Sequence, residues 1–112
     1  MRIDIPQVWK FFLEHGVLAT LRCWPYEKKL GKIITVRNGP FSKIGAIVKE
    51  VVFYPKPHEL KRFVHISSFK TVEEWWEKAL EKHGRPPTRL VVIERYKPKP
   101  LDKKIPGLKV VK

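Results

Sequence analysis

The sequence predicts an α+β fold, a small curved sheet of five to six strands partly closed into a barrel, with two main helices. Three observations predict it. Two stretches carry apolar residues at helical spacing between start and stop signals, several others carry them at a spacing of two, and 112 residues at 43% apolar content suffice for one core. Closing a short sheet also removes edges that so few strands would otherwise expose.

The first helix is expected to open at Asp4, where an Asp side chain can cap the first turn, Pro6 is tolerated early and Gln7 can reach back. Val8, Trp9, Phe12 and Leu13 mark its apolar face, and His15 with Gly16 ends it. From Val17 to Cys23 the period becomes two, so this is a strand with Arg22 facing opposite to Leu21. Trp24, Pro25 and Tyr26 break it, and Glu27 to Gly31 is a polar connection. Lys32 to Arg37 resumes as a β-branched strand, Asn38, Gly39 and Pro40 turn, and Ile44 to Tyr54 is the longest strand, with Gly45 as a bulge or close-approach point. Pro55 to His58 makes a corner and Glu59 to Val64 a short helix. Thr71 and Glu74 form a capping box ahead of Val72, Trp75, Trp76, Ala79 and Leu80, and His83 with Gly84 closes that second main helix. Arg89 to Tyr96 is the last regular strand. Positions 1–97 therefore form the domain and 98–112 a basic Pro/Lys-rich segment, in which Ile105 and Leu108 to Val111 could still dock as an edge strand.

Charge narrows the partner. Twenty-four Lys and Arg against eleven Asp and Glu leave a formal net charge of +13, too one-sided for ion-pair networks, although the Lys-rich, Cys-poor composition also fits a heat-adapted protein. Positions 85–112 hold nine basic residues against Glu94 and Asp102, so this quarter can act as an electrostatic arm on a nucleic-acid backbone. A lone Cys23 permits no internal disulfide, the four histidines show no metal-ligand spacing, and no leader or membrane span is evident. The expectation is a cytoplasmic protein without a cofactor, bound to RNA or docked on a ribonucleoprotein rather than to a membrane.

Three local sequences carry a family resemblance. They are Glu14-His15-Gly16-Val17-Leu18-Ala19-Thr20-Leu21-Arg22, the strand pair Gly31 to Arg37 and Lys43 to Val52, and Ser68-Phe69-Lys70-Thr71-Val72-Glu73-Glu74. In these the chain resembles the ASCH domain family of the PUA-like superfamily of small β-barrels. The resemblance implies a PUA-like mixed barrel with an RNA-binding cleft at its mouth. Some members hydrolyse N4-acetylated cytidine with a Lys, a Thr and a Glu. Anchored on Arg22, the Thr falls on Thr20 and the Glu on Glu73 or Glu74, but the Lys falls on Val17, which has no amine to activate. Catalysis by Thr20 and Glu73 therefore stands behind RNA binding.

Six residues form the expected nucleic-acid site. Arg22 and Arg37 offer planar guanidinium groups at the barrel mouth, unless Glu73, Glu74 or Glu94 pair with them. Trp24 and Tyr26, beside Lys28 and Lys29, place stacking surface next to charge, unless Trp24 packs into the core. Lys43 and Lys70 add phosphate-binding charge. Glu74 is explained by its cap, and Cys23 by the end of a buried strand.

Overall fold

The computed structural model describes residues 1–97. Helix α1 (Pro6–His15) starts on Pro6, whose fixed φ suits the first turn, and ends at Gly16, where φ is 76° and the backbone N–H donates to Phe12 O at 2.8 Å. The expected Asp4 cap does not form. Ile5 holds the cap position without a side-chain bond, and Asp4 instead pairs with Arg2 at 3.1 Å and with Lys82 at 3.3 Å. Gln7 also turns outward, its Nε2 donating to Ser68 O at 3.0 Å. Long-range partners supplied by packing have displaced the local bonds that sequence spacing suggested.

Strands β1 (Val17–Arg22), β2 (Ile33–Asn38), β3 (Ser42–Phe53) and β4 (Arg89–Arg95) form one antiparallel sheet in the order β1-β4-β3-β2. Four strands stand among the described residues where five or six were expected, the suggested edge strand at Ile105 and Leu108 to Val111 lying outside them; residues 57–66 coil into two 3₁₀ turns, Pro57–Arg62 and Val64–Ile66, in place of the expected short helix. The segment Met1–Ile3 adds a parallel bridge to β2 through Ile3 N to Arg37 O at 2.9 Å and Arg37 N to Met1 O at 3.0 Å. Among the described residues no backbone ladder joins β1 to β2. A side chain spans that gap instead, Arg22 Nη1 donating to Arg2 O at 3.0 Å.

The sheet carries apolar side chains on both faces, which explains why β1 is buried at four successive positions. Alternation sends Leu18 to one side, where Val8 and Phe12 of α1 and Ile3 cover Val36, Ala46, Val48, Val91 and Ile93. It sends Ala19 and Leu21 to the other, where helix α2 (Val72–His83), Leu60 and Phe63 cover Leu90 and Val92. Each fully buried side chain of this size contributes roughly 1.5–3 kcal/mol. Trp75 is 3% exposed, but Trp9 and Trp76 lie half-buried at the core margins, and Leu13, expected on the apolar face of α1, is exposed. The sheet irregularity falls between Val48 and Glu50 rather than at Gly45. Lys49 there reaches Glu94 at 3.6 Å, whereas Gly45 is a close-approach point facing Ile33 and Tyr96.

The second helix follows its sequence signals. Thr71 Oγ1 accepts from Glu74 N at 3.1 Å, and Gly84 at φ 69° closes the last turn on Leu80 O. Glu74 reaches one residue past the cap, accepting from Lys70 N at 3.3 Å. No described helix is long and apolar enough to cross a membrane. The basic arm at 98–112, with its suggested edge strand, lies outside the described residues.

Candidate nucleic-acid interface

The site begins at the end of β1, where the chain leaves the sheet through Cys23, Trp24 and Pro25 into a 3₁₀ turn, Tyr26–Lys29. Proline at that point cannot continue the strand ladder. The turn is braced by Tyr26 N to Trp24 O at 2.8 Å and by Gly31 N to Val48 O at 2.8 Å, so the loop is fixed at both ends. Trp24 is 48% exposed and does not pack into the core. Its ring meets Tyr26 edge to face, with centroids 4.8 Å apart at 62°, while Tyr26 itself is half-buried against the α1 side of the sheet. Together with Met1, Lys29, Ile33, Ile34 and Thr35, the two rings bound an open groove of about 510 Å³.

Arg22, two residues before Trp24, stands near Tyr26 without lining the groove. Its Nε donates to Thr20 Oγ1 at 3.1 Å and its Nη1 to Arg2 O, both neutral oxygens. Burial pulls the guanidinium below its usual value, opposed by Tyr26 and Asp4, but arginine stays charged in proteins. Burial likewise pushes the Tyr26 phenol above its ordinary value, against the pull of Arg22. A partly desolvated cation therefore lies beside a stacking surface, a setting that strengthens its attraction for an anion.

The other expected residues divide. Arg37 and Lys43 face each other on the β2–β3 ladder and are exposed, but alternation turns them away from buried Val36, so they stand on the sheet face opposite Arg22. Arg37 stays linked to the site through its backbone bonds to Met1 and Ile3. Lys70 belongs to a different surface, at the start of α2, where the neighbouring depression is lined by Glu74, Glu77 and Glu81. The expected alternative ion pairs do not form: Glu94 takes Lys49 and Glu74 takes the Lys70 amide.

Thr20 lines a second, smaller cavity of about 80 Å³ between the Arg2–Ile5 segment, β1 and α2, with Arg22, Ser67, Lys78, Lys82 and His83. Glu73 does not line it, and Asp4, already tied to Arg2 and Lys82, is its carboxylate. The Thr20 and Glu73 pair suggested by the family resemblance is thus not brought together across this cavity. His83 Nε2 lies 3.1 Å from Leu21 O, so the ring caps an open carbonyl of β1.

Sequence reasoning missed a cluster at the far end of the same sheet row. Arg89, read as free charge, is clamped by Glu27 at 2.7 and 3.0 Å, with both side chains largely shielded. This hydrogen bonding holds the Glu27 carboxyl below its usual range. The Arg89 guanidinium lies 4.6 Å from the Phe53 ring centroid and 5.7 Å from that of Tyr54. The aromatic pair preceding Pro55 was the available signal. Comparison with family models, with curated proteins and with solved structures gives no match.

Proposed function

We propose that this chain is an RNA-binding module of the ASCH and PUA-like kind, which receives a single-stranded segment across the Trp24–Tyr26 loop. The observation that carries this reading is the exposed Trp24 braced on Tyr26 beside Arg22 and Lys29, at the edge of an open groove. Single strands are bound by stacking of bases on aromatic rings, combined with cations that follow the backbone. Trp24 supplies the ring, Tyr26 fixes its angle, and Lys28, Lys29 and Arg22 supply the charge. The net charge of +13 gives the same surface a long-range pull on any polyanion. Arg37 and Lys43 extend that pull on the other sheet face, and Lys70, among glutamates, is no longer counted in the site.

The test compares a single-stranded RNA, a structured RNA and a DNA of matched sequence over a salt series. Tighter binding to single-stranded RNA, with a preference that persists as salt weakens all three, supports the module. Equal binding to every polymer, vanishing together with salt, would reduce the surface to nonspecific charge.

A further inference from the structure

We infer that Phe53 and Tyr54 form a second base-stacking platform, so that the row Trp24–Tyr26–Arg22–Arg89–Phe53–Tyr54 is one continuous track for a single strand. This rests on the RNA-binding reading above and extends it across the end of the sheet. The register sets the row: Arg22 lies opposite Arg89 on the β1–β4 ladder, and Phe53 lies opposite Arg89 on the β3–β4 ladder. Residues directly opposed on antiparallel strands project to the same side. Two strand spacings separate Arg22 from Phe53, about 10 Å, which is the rise of about three stacked bases.

The platform is built rather than merely exposed. Phe53 is 52% and Tyr54 68% exposed, although both are large apolar rings. Tyr54 has φ 48°, a left-handed conformation unfavourable for an aromatic residue, and is held there by its N–H donating to Thr88 O at 2.8 Å. Strain of this kind persists where surrounding structure imposes it, and it concentrates at ligand clamps. Arg89 lies close to both rings, and its two-bond clamp to Glu27 ties the platform to the same turn that carries Tyr26.

Charge selects the occupant. The Arg89 cation is matched by Glu27, whereas neighbouring Arg22 bonds only neutral oxygens among the described residues, so one unmatched positive charge stands between the two ring pairs. Exposed Lys28 follows Glu27 in the turn, and exposed Lys56 follows the Phe53–Tyr54 pair across Pro55. Rings at both ends of the row with cations between them suit bases stacked at the two ends and the joining phosphates in the middle.

The experiment titrates the full chain with single-stranded RNA oligonucleotides of about two to about sixteen nucleotides, a range bracketing the site sizes of small single-strand binders. Wild type, Trp24→Ala, and Phe53→Ala combined with Tyr54→Asn are compared at one salt concentration. Wild-type affinity is expected to climb with length. The double variant should match wild type on the shortest oligonucleotide and bind the longer ones at least about 5-fold more weakly, the low end for one stacked base. Tyr54→Asn alone serves as the folding control: asparagine tolerates the left-handed region, so its unfolding midpoint should equal or exceed wild type while binding of longer RNA falls. If the double variant follows wild type at every length while Trp24→Ala weakens binding, the second platform is overturned and the RNA reading stands. If Trp24→Ala also changes nothing, both fall together.

Discussion

Replacing Trp24 by alanine separates a binding residue from a packing residue. Trp24 is 48% exposed, so about half of its surface is already withdrawn from water, with the Tyr26 ring against it edge to face. A fully buried aromatic covers 150–250 Å², so the lost burial is roughly 100 Å², worth about 2.5 kcal/mol at 25 cal/mol per Å² as an upper limit. A realistic stability loss is therefore about 1–2 kcal/mol, or a fall in Tm of roughly 4–16 °C for a domain of this size. Loss of one base-stacking contact costs about 1–3 kcal/mol of binding, a drop of roughly 5- to 150-fold. The two effects are of similar size, so they must be measured apart. Thermal unfolding gives the first, and fluorescence anisotropy of labelled single-stranded RNA at 25 °C, far below the midpoint, gives the second. Trp24→Phe keeps a π-face and should recover most of the affinity. An alanine variant that loses stability but binds RNA like wild type would make Trp24 a packing residue and refute the assignment.

Other substitutions test the frame that holds the site. Thr71→Ala removes the acceptor of Glu74 N and should cost about 1 kcal/mol, whereas Thr71→Ser should cost little, as read by denaturant midpoints. Gly45→Ala should be tolerated or stabilise by up to about 0.5–1 kcal/mol, because the backbone is not left-handed and an added Cβ meets Ile33 at an ordinary 3.5 Å; a marked loss would mean that the sheet cannot yield there. Glu27 has its folded pKa depressed below the ordinary 4.5, chiefly by the Arg89 hydrogen bonds, so its contribution is present above that value and is lost as pH falls through the folded value. Stability of wild type relative to Glu27→Gln, followed by urea unfolding, should shrink as pH falls below the ordinary 4.5 and through the depressed folded value; a constant difference would contradict the clamp.

What could be read from the sequence was what local chemistry decides. Gly16 and Gly84 close their helices as their positions imply, Thr71 caps α2, and the alternation of Val17 to Arg22 divides between two cores. Long-range pairing was not readable. Asp4 gave up its local cap for Lys82, seventy-eight residues away, and Arg89 found Glu27 across sixty-two. Arg22 and Arg37 share a residue type and a strand setting, yet pleat parity puts them on opposite faces, and that parity depends on a register that no short window encodes. Phe53 and Tyr54 were absorbed into the end of the longest expected strand, Ile44 to Tyr54. Their exposure arises because β4 begins only at Arg89 and the corner at Pro55 leaves no described element to cover them.

Amide and side-chain NMR shifts recorded while single-stranded RNA is added test the central claim most directly. Perturbations should concentrate on residues 22–30, on the Trp24 indole N–H, and on Phe53, Tyr54 and Arg89, with α2 unchanged. Shifts spread evenly over exposed lysines, with the Trp24 indole unmoved, would contradict it and leave only diffuse electrostatic attraction.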